Sequence, residues 1–588
     1  MVTTPASITA DALLAGLDEE QRVAAETLTG PVCLLAGAGT GKTRAITHRI
    51  AYGVATGAYA PGRVMALTFT ARAAAELRGR LRQLGASGIA ARTFHASALS
   101  QLGYFWPQTI GGTMPRILES KGRLLGHASE TLRLRLDTAA LRDLAAEIEW
   151  RKVSRLTIEQ YAARAAERVL PASVDVDKAV ALHRAYEALK DERRQLDFED
   201  VLLATAGMIE SEPRVAQQVR EQYRFFVVDE YQDVSPLQQA LLELWLGDRR
   251  DLCVVGDVSQ TIYSFAGASS DPLLGFPTRY RDATVVRLER NYRSTPAIVE
   301  TANQLMRGRP GALQLHAASA QDDVVRSVRP TIDRYSSDSM EARGVANSIA
   351  AQLAAGTRPQ DVAILYRLNG QAAALEAALS DAGVPYQLRG ATRFFELQEI
   401  KQAIMMLKGA LIVPTIEPLF KTVSDVLRSL GWTQQPPEVR GAVRDRWESL
   451  NALIGLAEAS GPETTLREFV DELTERSASQ HEPTLAAVTL ATLHSAKGLE
   501  WNTVYLVGVS DGLVPVSYAK TPEAIDEERR LLYVGITRAR ARLHLSWAQH
   551  GASGAQRGER LPSRFLAELG SRADADRRTR GAGSTPAR

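Results

Sequence analysis

The sequence has little cysteine: two residues among 588, Cys33 and Cys253. Both lie in apolar runs that read as buried strands. That excludes a disulfide framework and a thiolate zinc site, and it agrees with a reducing cytosol. Long hydrophobic runs are lacking as well. The nearest candidate, 403–414, is broken by Lys408, so no segment is expected to cross a bilayer. Residues 1–20 carry no basic stretch followed by an apolar one, so no secretory leader is expected and the chain is placed in the cytoplasm. Charge of one sign is lacking too. The formal net charge is +2, which excludes a global basic field and confines any nucleic-acid site to a local groove. No repeat of short period is present. What remains is a globular composition, 45% hydrophobic and 23% charged, on a chain long enough for three or four domains.

The strongest positive signal is Ala36-Gly37-Ala38-Gly39-Thr40-Gly41-Lys42-Thr43. It follows an apolar run ending at Leu35 and precedes a helical pattern that begins at Arg44. A strand, a glycine-rich turn and Gly-Lys-Thr make a phosphate cradle. The glycines let backbone N–H groups converge on phosphate oxygens, and a helix N-terminus adds partial positive charge. Lys42 would reach the outer phosphates and Thr43 would hold Mg²⁺. The first glycine of the usual spacing is replaced by Ala36.

A second site completes the first. The run Phe225–Val228 reads as a buried parallel strand, and it ends in Asp229-Glu230-Tyr231-Gln232-Asp233. An acid at the C-terminal end of such a strand is placed to meet Mg²⁺ beside the phosphate loop. Asp229 fits the metal carboxylate. Glu230 fits the group that orients and deprotonates an attacking water.

Apolar strand runs cluster in two zones. The first holds Val32–Ala36, 63–70, Phe225–Val228, 252–255 and Thr284–Leu288. The second holds Val362–Tyr366, 487–493, 504–509 and 543–547. Helical patterns alternate with them, which predicts an α/β protein with two parallel sheets, hence two related lobes with a cleft between. Residues 96–195 and 401–484 lack strand signals and read as helical insertions. The polar segment 571–588, rich in Gly, Ser and Arg, is expected to be disordered.

The motifs, taken in order over about 17–566, resemble the UvrD/Rep/PcrA family of superfamily 1A DNA helicases, and among them the shorter actinobacterial-type members. The resemblance implies two RecA-like P-loop domains, each with a mostly helical insertion. The expected division is 1–95 and 196–289 for domain 1A, 96–195 for insertion 1B, 290–400 and 485–570 for domain 2A, and 401–484 for a shortened insertion 2B. It also implies ATP and Mg²⁺ as cofactors, and a loop contact set that runs from Ala36 through Gly37, Ala38, Gly39, Thr40, Gly41, Lys42 and Thr43 to Arg44. By the same resemblance Gln21 would read the adenine edge, Tyr292 would stack on adenine, and Glu500 would bond the ribose. Gln260 would sense the γ-phosphate, and Arg293 and Arg538 would act on it from the second lobe. Thr68, Phe69, Thr93, His95, Tyr263, Phe265 and His494 would line a path for single-stranded DNA. The implied activity is ATP-dependent 3′–5′ unwinding or translocation in DNA repair or recombination. The implied partners are single-stranded and tailed or forked duplex DNA, with repair proteins as further partners and a nucleoid-associated location. The alternatives are a translocase that displaces proteins with little unwinding, and a motor subunit of a larger complex.

Three departures from the family stand out. Ala266 occupies the place of a family arginine after the aromatic Phe265. The second insertion is short. The loop after Trp547, through His550 to Arg560, has no Tyr, Phe or Trp to serve as a strand-separating pin, so unaided unwinding is expected to be weak.

Overall fold

The computed structural model of the chain describes residues 9–166, 168, 170, 171, 173–318, 328–389, 394–411, 417–437, 442–460, 464–479, 487–551 and 559–570. These form two compact units. The first holds the described residues up to 292 together with 309–318, and the second holds the remainder.

The first unit is built on six parallel strands: β1 (Val32–Ala36), β2 (Val64–Thr68), β3 (Ala90–Thr93), β4 (Phe225–Val228), β5 (Leu252–Gly256) and β6 (Thr284–Leu288). Their order across the sheet is β3-β2-β4-β5-β1-β6. The four central strands are apolar along their length because both faces are covered. Alternation sends Cys33, Met65, Leu67, Phe226, Val228 and Val254 to one core. Their neighbours Val32, Leu34, Val64, Ala66, Phe225, Val227, Cys253 and Val255 enter the other. Each such aliphatic side chain stabilises the fold by about 1.5–3 kcal/mol. The two cysteines are free and buried, and they face opposite cores. Burial pushes the Cys33 thiol up to about 12, as expected of an inert thiol.

The second unit repeats the plan with β7 (Thr331–Ser337), β8 (Val362–Tyr366), β9 (Tyr386–Arg389), β10 (Val488–Thr492), β11 (Trp501–Leu506) and β12 (Ala539–His550). The order is β7-β12-β11-β8-β10-β9, again all parallel. Three strands of these two sheets were not expected from the sequence: β3, β7 and β9. All three are sheet edges. The clearest case is β7, whose residues Thr331 to Arg334 are exposed, so it lacks the continuous apolar run that marks a covered strand.

Between β3 and β4 the chain is helical, apart from a two-residue ladder of Arg116–Ile117 with Gln195–Leu196. The helices Lys121–Thr131, Thr138–Val153, Ile158–Ala165 and Val176–Glu192 share a core of their own. Beside that core lies a buried ionic cluster. Lys152 Nζ donates to Asp197 Oδ2 at 2.7 Å and to Asp200 Oδ1 at 2.6 Å. In the second unit the helices Gln398–Ala410, Leu419–Ser429, Ala442–Ala459 and Leu466–Ser479 gather around another separate core.

One buried acid in the second unit has a testable consequence. Glu341 Oε1 accepts from the Gly508 N–H at 2.9 Å and from the Ser546 hydroxyl at 2.5 Å, tying the helix Asp338–Ala354 to β12 and to the turn after β11. Burial raises its pKa to about 7 against those two opposing hydrogen bonds. A carboxyl with a raised folded pKa favours folding most while it stays protonated. Its contribution is therefore complete below the unfolded pKa and declines as pH rises towards 7. Glu341→Gln should remove that decline. Urea melts of the two proteins should coincide near pH 4 and diverge above pH 7 by on the order of 2–3 kcal/mol in the variant's favour.

Candidate functional site

The glycine-rich turn leaves β1 and enters the helix Lys42–Ala55, with Gly41 as N-cap at φ +81° and Gly39 at φ +71°. Only glycine takes these conformations without strain. A Cβ at Gly41 would also lie 2.6 Å from Gln21 Nε2. Ala36 needs no such freedom, because it is the last residue of β1 and pairs with Leu288. Three consecutive carbonyls of the turn are engaged by the surrounding protein. The Ala38 carbonyl accepts from Asn291 Nδ2 at 2.7 Å, that of Gly39 from the Tyr292 N–H at 2.8 Å, and that of Thr40 from Gln21 Nε2 at 2.9 Å. With its carbonyls turned into the protein, the loop offers its electropositive amide side to an anion. The Gln21 amide is thus seated on the loop, and Arg44 donates to the Gly16 carbonyl at 2.7 Å.

Opposite the turn, β4 is followed by Asp229, whose N–H donates to the Leu67 carbonyl at 2.8 Å. Its Oδ1 accepts from the Glu230 N–H at 3.0 Å. Glu230 holds φ +54°, ψ +42°, a left-handed conformation costing a non-glycine residue about 1–2 kcal/mol. Such strain gathers at functional sites. Lys42 Nζ lies 3.3 Å from Glu230 Oε1. Burial alone would depress the lysine; the carboxylates of Glu230, Asp257 and Asp229 outweigh it and hold its pKa above the ordinary value. The ammonium therefore stays charged. Thr43, next to Lys42 at the start of the helix, and Asp229 are hard oxygen donors of the kind Mg²⁺ takes.

The network continues inward. Gln232 Nε2 donates to Glu230 Oε2 at 2.5 Å, and Gln232 Oε1 accepts from the Asp257 N–H at 3.1 Å. Asp257 Oδ2 accepts from Gln260 Nε2 at 2.7 Å, and its Oδ1 accepts from the Ser259 N–H at 3.0 Å. Burial raises the Asp257 carboxyl above the usual carboxylate range, although Lys42 and these donors pull the other way.

The residues expected along a DNA path in this unit follow the same C-terminal strand ends, where open α/β sheets bind ligands. Thr68 closes β2 and is buried. Phe69 follows it, 44% exposed, and stacks on Tyr263 with centroids 5.4 Å apart. Tyr263 meets Phe265 edge-on at 6.0 Å. Thr93 caps the helix Phe94–Thr109 by accepting the Ala96 N–H at 3.1 Å. His95 has its pKa lowered by burial and by Lys121, so it is neutral near pH 7. Its ring meets Phe198 edge-on at 6.0 Å. Phe198 is 52% exposed and was not singled out from the sequence. Its cue was an apolar residue at the solvent end of a capping box, Asp197 to Asp200. Gln232 was missed as well, because a glutamine within an acidic run reads as surface.

Tyr292 belongs to the first unit and Arg293 to the second. The Tyr292 hydroxyl donates to Asp18. In the second unit Glu500 is gripped twice, Oε2 by Arg293 and Oε1 by Arg540. Burial alone would raise its pKa; the two arginines hold it below the usual range. Arg293 also donates to the Thr537 carbonyl at 3.2 Å. Arg538 is 2% exposed and donates to the carbonyls of Val534 at 2.9 Å and Leu499 at 3.0 Å. His494 follows β10, with its pKa lowered to about 3 by burial, Arg367 and Lys497. His550 ends β12 with its Nδ1 2.9 Å from the Ser336 carbonyl oxygen. Residues 552–558 of the pin loop and the tail 571–588 lie outside the described residues.

Residues 17–281 match the UvrD/REP helicase N-terminal domain, and residues 286–434 and 438–550 match the UvrD-like helicase C-terminal domain. The ATP-dependent DNA helicase UvrD2 of Mycobacterium tuberculosis is 47% identical across 98% of this chain and 85% of its own length. UvrD1 of the same organism is 30% identical across 96% and 86%. The ATP-dependent DNA helicase PcrA of Leuconostoc citreum is 29% identical across 95% and 85%.

The seating of the loop can be tested at Asn291. Asn291→Ala removes the donor to the Ala38 carbonyl, a bond of about 0.5–1.5 kcal/mol. Titration with a fluorescent ATP analogue should show binding weakened roughly 3–10-fold relative to the unsubstituted protein.

Proposed function

The chain belongs to the UvrD/Rep helicase family, and we propose that it is a DNA-stimulated ATPase that moves 3′ to 5′ on single-stranded DNA and unwinds duplex in DNA repair or recombination. The observation that carries this reading is the Lys42–Glu230 pair beneath a loop whose carbonyls are drawn away from the anion side.

In this mechanism the loop N–H groups and the Lys42 ammonium bind the phosphates of ATP. Mg²⁺, held by Thr43 and Asp229, would supply charge neutralisation. Glu230 orients a water and takes its proton as the water oxygen bonds to the γ-phosphorus. The bond to the bridging oxygen breaks, leaving ADP and inorganic phosphate. Gln260 registers the γ-phosphate. Arg293 and Arg538 are assigned to the charge that develops on the γ-phosphate. Arg293 pairs with Glu500, and Arg538 donates to two carbonyls. Glu500 is further assigned to the ribose, and Gln21 and Tyr292 to the base.

For the track, Phe69, Tyr263, Phe265 and Phe198 offer rings on which bases stack, at about 1–3 kcal/mol per base and with little sequence preference. Thr68, Thr93, His95 and His494 are assigned to the same path. A second reading is a translocase that displaces bound proteins and separates strands poorly. The alanine at 266, within the turn Ser264–Ala266, favours it. Strand displacement and streptavidin displacement measured side by side separate the two readings.

Lys42→Ala should abolish DNA-stimulated phosphate release. Glu230→Gln should do the same while still binding nucleotide; full turnover by Glu230→Gln would overturn the base assignment. Unwinding should be seen with a 3′-tailed and not with a 5′-tailed duplex. Phe198→Ala should raise the Kd for oligo-dT by roughly tenfold, as read by fluorescence anisotropy; an unchanged Kd removes Phe198 from the track.

A further inference from the structure

We infer that Gln232 is a positioning residue that holds the Glu230 carboxylate in its working orientation and links that orientation to Gln260. The inference rests on the proposed ATPase reading and adds a residue to it.

The geometry leaves little choice. Gln232 is 0% exposed, so both ends of its amide must be satisfied inside the protein. One end faces a carboxylate oxygen, Glu230 Oε2 at 2.5 Å, which only accepts. The other faces the Asp257 N–H at 3.1 Å, which only donates. A single orientation of the amide serves both, so the assignment of Nε2 and Oε1 is fixed by chemistry. Asp257 in turn holds Gln260 through its Oδ2. Gln232 thus bridges Glu230, two residues after β4, and the turn that follows β5.

The backbone accommodates that bridge. β5 ends in Gly256, and a Cβ there would lie 2.6 Å from Gln232 Oε1, 2.7 Å from Leu273 Cδ2 and 3.3 Å from the Gln232 nitrogen. Gly256 has no positive φ, so its smallness rather than its freedom is what the site uses. The strand terminus is cut back to hydrogen where the amide crosses it.

An amide is also suited to the task. Its N–H fixes Oε2 without carrying a charge. Oε1 is then the oxygen directed at Lys42, 3.3 Å away. A lysine at 232 would compete with Lys42 for the carboxylate. A glutamate would present acceptor to acceptor and force Glu230 to turn. Because Glu230 sits on a left-handed residue, its side chain has no regular turn to support it, and orientation must come from a neighbour.

The test compares the unsubstituted chain with Gln232→Glu and Gly256→Ala in the full-length protein with saturating oligo-dT and Mg–ATP. The first variant exchanges donor for acceptor at nearly constant shape. The second leaves the amide in place chemically and crowds it sterically. Both should lose kcat by about tenfold or more, with KM and the Kd for a fluorescent ATP analogue held within about threefold, and with unfolding midpoints within a few degrees. Wild-type kcat in Gln232→Glu overturns the inference. So does a loss of kcat matched by an equal loss of nucleotide affinity or of stability, which would make Gln232 a packing residue. If Gly256→Ala fails to fold, Gln232→Glu decides alone. An unsubstituted protein with no DNA-stimulated turnover overturns the ATPase reading and this inference with it; brisk turnover beside an unimpaired Gln232→Glu overturns this inference alone.

Discussion

A lysine ammonium held among carboxylates is the constraint around which the first unit is arranged. An ion taken from water loses several kcal/mol of solvation unless partners replace the water. Lys42 finds Glu230, Asp257 and Asp229, and its raised pKa records that they more than compensate for burial. Each carboxylate then needs donors of its own. Asp229 takes the N–H of Glu230, Glu230 takes the amide of Gln232, and Asp257 takes Gln260 and the N–H of Ser259. The strand order explains how this is possible. Because β5 lies between β4 and β1, three strand ends meet at one place, and Asp257, which follows β5, adds its charge to that of the two acids after β4.

The second unit holds two arginines in different surroundings. Arg293 rests on a carboxylate that Arg540 also holds, and Arg538 is sunk among backbone carbonyls. The two seats differ in kind. An ion pair can be exchanged for a phosphate with small net change in charge pairing. A buried guanidinium on carbonyls gives up hydrogen bonds when it leaves. On the proposed mechanism Arg293 is therefore the more readily recruited of the two.

Most of the central architecture was legible from the residues, and the reason is burial. A strand covered on both faces has to be apolar throughout, so β1, β4, β5 and β8 announce themselves. An edge strand has no such obligation. β7 carries Asp333 and Arg334, exposed on opposite faces, and its pairing with β12 is set by backbone register rather than by composition. The phosphate loop was legible because glycine at a left-handed position has few substitutes. What composition hides is the role of a neutral polar residue. Gln232 acquires meaning only when β4 and β5 are adjacent, and Phe198 only when the chain after a long helical segment returns to His95. The change of unit after Tyr292 is marked by contacts rather than by composition. Asn291 and Tyr292 serve the first unit by gripping the loop, while Ser294, two residues on, donates to the Ala539 carbonyl of the second at 2.6 Å.

That abrupt handover bears on how chemistry could become movement. The polar chain from Lys42 runs to Gln260, and Tyr263, which stacks on Phe69, lies three residues further on, with fully buried Ile262 between. Hydrogen bonds are directional and short-ranged, so a small change at one end of such a chain either breaks a link or moves the next residue. Packed rings respond differently, sliding over one another at little cost while staying in contact. On the proposed mechanism the stiff polar chain lies at the phosphate and the compliant aromatic pair on the track, which would put sensitivity where one bond is cleaved and tolerance where any base is accepted. An arginine at 266 would add a charged, directional contact to the tolerant end. The alanine there adds no such contact, and the rings at the turn remain Phe265 and the Tyr263 it meets edge-on.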